Sequence, residues 1–148
     1  MLISRILIGY DGSACSDRAL EFGLDLAEKY SAEVTIANVL ELPVYGSPDD
    51  PLAVTEGLSE LVKDLRASHR GVLSKGAEKA TKLKPNTKVT MQLMEGSPWE
   101  QIVEATKKDV FDVVVVGHGG ENRLREMFLG GTSERVAHSA RCSVLIVK

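Results

Sequence analysis

Five short apolar runs, separated by stretches long enough for a helix, limit this chain to few architectures. The runs cover residues 3–9, 33–40, 88–94, 112–117 and 143–147. Three contain unbroken hydrophobic stretches: Ile6-Leu7-Ile8, Val113-Val114-Val115-Val116 and Val144-Leu145-Ile146-Val147. A sheet with one wet face alternates apolar and polar positions. Continuous β-branched runs of this length instead suit parallel strands covered by helices on both faces.

The intervening segments carry helical signals. Between Ser13 and Tyr30, Asp17, Glu21, Asp25 and Glu28 mark a polar face, with Leu20, Leu24 and Ala27 opposite. From Leu58 to Leu83 apolar residues recur with a 3.6-residue period, and Asp50-Pro51 is a plausible start upstream. A helix from Pro51 would run about 50 Å, too long for a small domain. It is expected to start late or bend, at Gly57 or Gly71. Ser97-Pro98-Trp99-Glu100 reads as a capping box opening a third helix that ends at Lys107-Lys108. A fourth follows Gly130-Gly131 and ends near Ala140. The order β-α-β-α-β-α-β-α-β predicts one open, mainly parallel, Rossmann-like α/β sheet with helices on both faces. Such sheets bind ligands beyond the carboxyl ends of their strands, where strand order reverses. The loops after strands one, two and four are therefore the ones to inspect, and 41–49 is a candidate lid.

Bulk properties exclude several classes. The 148 residues, 43% hydrophobic, suit one domain with its own core. A net charge of −3 gives no global field for nucleic acid or anionic membrane. The lysines at 75, 79, 82, 84 and 88 read as a solvated face, several of them in the last turns of a long helix, where cations suit its dipole. No window approaches 18 uninterrupted apolar residues, and the N-terminus lacks a leader pattern, so the expected compartment is the cytoplasm. Cys15 and Cys142 are too few for a disulfide framework and are expected at opposite rims of the sheet.

The chemistry-bearing region follows the fourth run. Gly117-His118-Gly119-Gly120 is followed, nine residues on, by Gly130-Gly131-Thr132-Ser133 at a helix start. Glycines let backbone N–H groups converge on an anion, and a helix N-terminus adds unpaired donors. The pattern fits a phosphate cradle, although glycines also serve ordinary turns. It lacks the lysine of a Walker A loop, and Asn122 breaks the dinucleotide fingerprint GxGxxG. Asp11 after the first run could bind a ligand hydroxyl or cap the first helix; Thr132 and Ser133 could cap the last. His118 could be a polar contact, whereas His69 and His138, on helices, read as ordinary surface or boundary residues. Arg123 and Arg125 read as solvated.

Gly117-x-x-Gly120, nine residues and Gly130 resemble the ATP motif G-x2-G-x9-G-[S/T] of the universal stress protein family. The similarity spans essentially the whole chain. It includes Ile6-Leu7-Ile8-Gly9-Tyr10-Asp11-Gly12-Ser13, Ala37-Asn38-Val39, Gly96-Ser97-Pro98 and the closing Cys142–Val147 segment. The resemblance implies sheet order 3-2-1-4-5, an adenine nucleotide (ATP, or AMP or ADP) with Mg2+, and a homodimer. By the same resemblance Asp11 would bind the ribose and the Val39 backbone would contact adenine. Gly117, Gly120 and Gly130 would wrap the phosphates, with a hydroxyl from Ser133 beside them. Gly131 departs from the pattern, standing where the family carries Ser or Thr.

No nucleophile–base pair, GxSxG or HExxH pattern is visible. The expectation is an ATP-binding stress-response or regulatory module. A slow ATPase or other adenine-nucleotide hydrolase, and a nucleotide-free dimer acting through protein contacts, are the alternatives. The hydrophobic last strand ends the sequence at Lys148, and pairing of two copies through that edge is expected.

Overall fold

Each apolar run becomes a strand, in a computed structural model that describes residues 2–42, 56–119 and 131–148. The elements are β1 (Arg5–Gly9), α1 (Ala14–Tyr30), β2 (Glu33–Leu40), α2 (Glu56–Leu83), β3 (Val89–Glu95), α3 (Pro98–Lys108), β4 (Val113–Gly117), α4 (Gly131–Ser139) and β5 (Ser143–Val147). All pairings are parallel and the order is β3-β2-β1-β4-β5. Strand 1 was expected to begin two residues earlier. Ser4 and Arg5 instead turn their backbone N–H groups to the Asp112 carboxylate, at 2.8 and 2.9 Å. β4 begins one residue later than expected, at Val113, although Asp112 N still donates to Arg5 O at 2.9 Å. β3 lies one residue later than the apolar run implied.

The two-sided burial has a simple cause. On β1, Ile6 and Ile8 face one way and Leu7 the other, and all three are fully buried. Ile6, Ile8, Val34, Ile36 and Val115 pack beneath α1 and α2, through Leu20, Leu24, Leu73 and Ala80. Leu7, Ala37, Val114 and Val116 pack beneath α3 and α4, through Ile102, Val103 and Val136.

Two helix expectations need correction. Neither Gly57 nor Gly71 interrupts α2, whose 28 residues give about 42 Å. The length is accommodated because only its C-terminal half enters the core: Leu73, Gly76 and Ala80 are buried, while residues 58–72 are not. Gly76 is needed there, since a Cβ would lie 2.8 Å from the Tyr10 ring. The capping box at α3 does not form. Ser97 is the N-cap but makes no side-chain cap bond, so Pro98 in the first turn and the acidic Glu100 mark this end. Asp50-Pro51 and the candidate lid beyond Leu42 lie outside the described residues.

The lysine face is also more specific than expected. Lys79 bridges Asp17 and Glu21 at 3.3 and 2.9 Å, Lys84 bridges Asp25 and Glu28, and Lys88 pairs with Glu33. The polar face of α1 therefore meets the lysines of α2 and the turn after it. Cys15 and Cys142 are free thiols.

The Asp112 latch makes the protein acid-sensitive. Hydrogen bonds from the Ser4 and Arg5 backbone, then from the Ser4 hydroxyl, hold its carboxyl below the ordinary value of 3.8. A depressed carboxyl stabilises the fold fully above its unfolded value and loses that contribution as pH falls through the lower folded value. Chemical denaturation from pH 5 downward should give a flatter acid limb for Asp112→Asn than for the parent. Parallel curves would show that the latch does not couple to folding.

Candidate functional site

The chain leaves β1 toward β2 and leaves β4 toward β5, so the loops part at the carboxyl rim between β1 and β4. This is the switch point where open α/β sheets bind ligands. Three of the expected site residues, Asp11, Val39 and Gly117, come to this rim.

The β1–α1 turn is built from short-range polar bonds. Asp11 is exposed, and its Oδ1 accepts from Ser13 N at 2.9 Å, forming an Asx turn. Gly12 follows with φ 83°, a left-handed conformation that favours glycine. Asp11 is not the helix cap that was its plain alternative. Ser13 takes that position, its Oγ accepting from Ser16 N at 3.2 Å. The Asp11 carboxylate thus keeps Oδ2 as an acceptor at the rim.

Val39 lies near the end of β2. Tyr10 N donates to Ala37 O at 2.8 Å, and Gly96 N donates to Leu40 O at 3.0 Å. Backbone groups on successive strand residues point to alternate sides. Ala37 faces β1 and Leu40 faces β3, so the N–H and C=O of Val39 point to the β1 side. The last β1 residue in register there is Gly9, opposite Ala37. The Val39 amide therefore faces the rim beyond the end of its neighbouring strand.

Gly117 ends β4 beneath the first turn of α1. A Cβ on it would lie 2.7 Å from the Cys15 carbonyl oxygen and 2.8 Å from its carbon. The glycine therefore lets α1 close over the end of β4. Arg18, in the same turn, places a guanidinium nitrogen 3.2 Å from Cys15 Sγ. His118 follows, its N–H bonded to Val147 O at 2.7 Å. Gly119 has nothing within 4 Å of where a Cβ would stand. Gly120 and Gly130, together with Arg123 and Arg125, lie outside the described residues.

The next described element, α4, begins at Gly131. Space around a Cβ there is open to 4 Å. The first turn of a helix carries unpaired backbone N–H groups and a positive dipole end. Ser133, in that turn, is buried at 3% exposure and has a partner of its own. Among the described residues no group of three or more His, Cys, Asp or Glu is placed to hold a metal.

Asn38, His69 and Tyr10, none of them among the expected site residues, complete this corner. Asn38, 4% exposed, donates from Nδ2 to the Tyr10 carbonyl at 2.7 Å. Its Oδ1 forms a short hydrogen bond with Nδ1 of His69, a half-buried boundary residue of α2. The Tyr10 hydroxyl donates to Asp17 Oδ1 at 2.9 Å. Burial, then that bond, pushes the Tyr10 phenol up to about 12, so it stays a protonated donor. An asparagine inside an apolar strand is itself a usable signal, because Asn is depleted there.

Known proteins share this fold. The family model of the universal stress protein family matches residues 3–148. A universal stress protein of Methanocaldococcus jannaschii is 32% identical, the match covering 99% of this chain and 83% of the relative. The solved universal stress protein UspA from Lactobacillus plantarum superposes with a TM-score of 0.84 at 22% identity, covering 100% and 99% of the two chains. A universal stress protein solved in complex with cAMP gives 0.74 at 22% identity, covering 100% and 99%. A family member from Arabidopsis thaliana solved with AMP bound gives 0.68 at 18%, covering 98% and 91%. No helix among the described residues is long and apolar enough to cross a membrane. With the parallel order β3-β2-β1-β4-β5, the glycine at the end of β4 and a family match over nearly its full length, this chain belongs to the universal stress protein family.

Proposed function

We propose that the carboxyl rim binds an adenine nucleotide, ATP above all, and that the protein acts as a nucleotide-responsive stress or regulatory module. The observation that carries this reading is the Val39 backbone, whose N–H and C=O face the rim past the end of β1. A donor and an acceptor on one residue can read the edge of adenine. Guanine reverses that pattern, with a carbonyl where adenine has an amino group. The Asp11 carboxylate stands beyond the adjoining strand and serves the ribose hydroxyls. Gly117, Gly120, Gly130 and Gly131 carry the phosphates on the other side, with Ser133 beside them. Solved relatives bound to cAMP and AMP support the ligand class.

Mg2+ in this scheme rides on the phosphates and water, as it commonly does with nucleotides. The second copy in a homodimer pairs through β5, an edge strand whose Val144, Leu145, Ile146 and Val147 are only half-buried. Purified protein, denatured after incubation with mixed nucleotides and washing, should release ATP, ADP or AMP by mass spectrometry. Release of guanine nucleotides alone, or of none, would count against the reading.

Gly131 offers a sharper test. It opens α4 without a left-handed φ and with open space around it, so a serine there brings no backbone strain. Gly131→Ser adds a hydroxyl that can donate to phosphate. A hydrogen bond to a charged group contributes about 1.5–3 kcal/mol at most, less here because water already fills the gap. The ATP-to-adenosine affinity ratio should rise, by about tenfold at the ceiling. A ratio that stays flat or falls would place residue 131 away from the phosphates.

A further inference from the structure

A buried amide persists in a protein when both of its ends are paired. Asn38 meets that condition through two elements that are distant in sequence. The Tyr10 carbonyl can only accept, so the NH2 end of the Asn38 amide must face it. The amide oxygen then faces His69 and can only accept. The His69 proton must therefore sit on Nδ1, leaving Nε2 as the other ring nitrogen. One side chain thus ties α2, through β2, to the exit of β1.

Sequence neighbours give this tie its consequence. Tyr10 directly precedes Asp11, and Asn38 directly precedes Val39. The bond between Asn38 and Tyr10 fixes the turn that carries the carboxylate against the strand end that presents the backbone amide. His69 fixes the rotamer of Asn38 in turn. We propose that Asn38, held by His69, is a positioning residue that sets the spacing between the ribose and adenine contacts. This role rests on the adenine-nucleotide reading of the rim. It concerns the adenosine half of the ligand alone, because the phosphates lie toward β4 and α4.

The variants follow from shape. The Nδ2 of asparagine occupies the same branch position as His Nδ1, so His69→Asn keeps a donor facing Asn38. His69→Leu has a similar outline and no donor. His69 is half-buried on a helix, so both variants should fold even if Asn38→Leu does not. Calorimetry with adenosine and with ATP on the full chain is the measurement.

Asn38→Leu should weaken both ligands by about tenfold or more, and His69→Leu by a smaller factor, with the ATP-to-adenosine ratio unchanged. His69→Asn should stay within about twofold of the parent. Nitrogen NMR of the imidazole should show the Nδ1–H tautomer in the parent and lose that bias in a folded Asn38→Leu. Three outcomes overturn the role while the nucleotide reading stands. These are unchanged adenosine affinity in folded His69→Leu, His69→Asn as weak as His69→Leu, or a loss confined to ATP. A parent that binds neither adenosine nor ATP overturns the nucleotide reading itself, and the positioning role with it.

Discussion

Gly117→Ala is expected to destabilise the protein by about 1–3 kcal/mol, the usual cost of forcing a methyl group into a filled space. The added Cβ would stand 2.7 Å from the Cys15 carbonyl oxygen, 2.8 Å from its carbon and 3.0 Å from its Cβ. Two of these three atoms are backbone within the first turn of α1, so no rotamer change relieves the clash. Either α1 lifts or the end of β4 is displaced, and both movements open the rim between β1 and β4. Gly119→Ala, two residues on, is the control, because nothing lies within 4 Å of its Cβ position. Urea denaturation should separate the two variants clearly. Equal midpoints would mean that α1 does not seat on β4 as described. This glycine accordingly has a packing reason to exist that is independent of any phosphate.

Asp11→Ala is expected to lower affinity for ATP and adenosine alike, by about 10- to 100-fold. A hydrogen bond to a charged group contributes roughly 1.5–3 kcal/mol, which is about that range in affinity. Two effects combine in this variant. The ribose loses an acceptor, and Ser13 N loses the Oδ1 that shapes the turn. Asp11→Asn separates them, since its carbonyl oxygen can still accept from Ser13 N while the charge is gone. The asparagine variant should fall between parent and alanine in affinity, with stability near the parent. If alanine lowers stability while both affinities hold, Asp11 is a turn residue only.

The sheet was legible in the sequence because its strands are buried on both faces. Ile6-Leu7-Ile8 and the four valines of β4 have no solvent face to interrupt the run. β2 and β5 coincide with their apolar runs, whereas β1 and β4 begin later than theirs, beside the Asp112 latch. That latch joins residues more than a hundred positions apart, which no local pattern encodes. The capping box failed for a related reason. The S-x-x-E pattern states what the residues can do, and the Ser97 hydroxyl makes no bond to the helix end. The lysines were read against their own helix, while their partners lie on α1 and at the start of β2.

At the site, the turn residues Asp11, Gly12 and Ser13 were visible as a local motif. The reading of Val39 came from family resemblance, and its backbone direction needed the strand register. Asn38 and His69 were missed because their significance is their meeting, 31 positions apart in sequence. An asparagine within Ile36-Ala37-Asn38-Val39-Leu40 was nevertheless an available warning, since burying an amide demands partners.

Isothermal titration of the purified full chain with ATP and with GTP, in the presence of Mg2+, tests adenine-nucleotide binding at the rim most directly. Saturable ATP binding is expected, with GTP weaker by about tenfold or more, because a single backbone donor–acceptor pair matched to adenine meets a reversed pattern in guanine. GTP binding as tight as ATP, or no heat from either up to millimolar nucleotide, would contradict it.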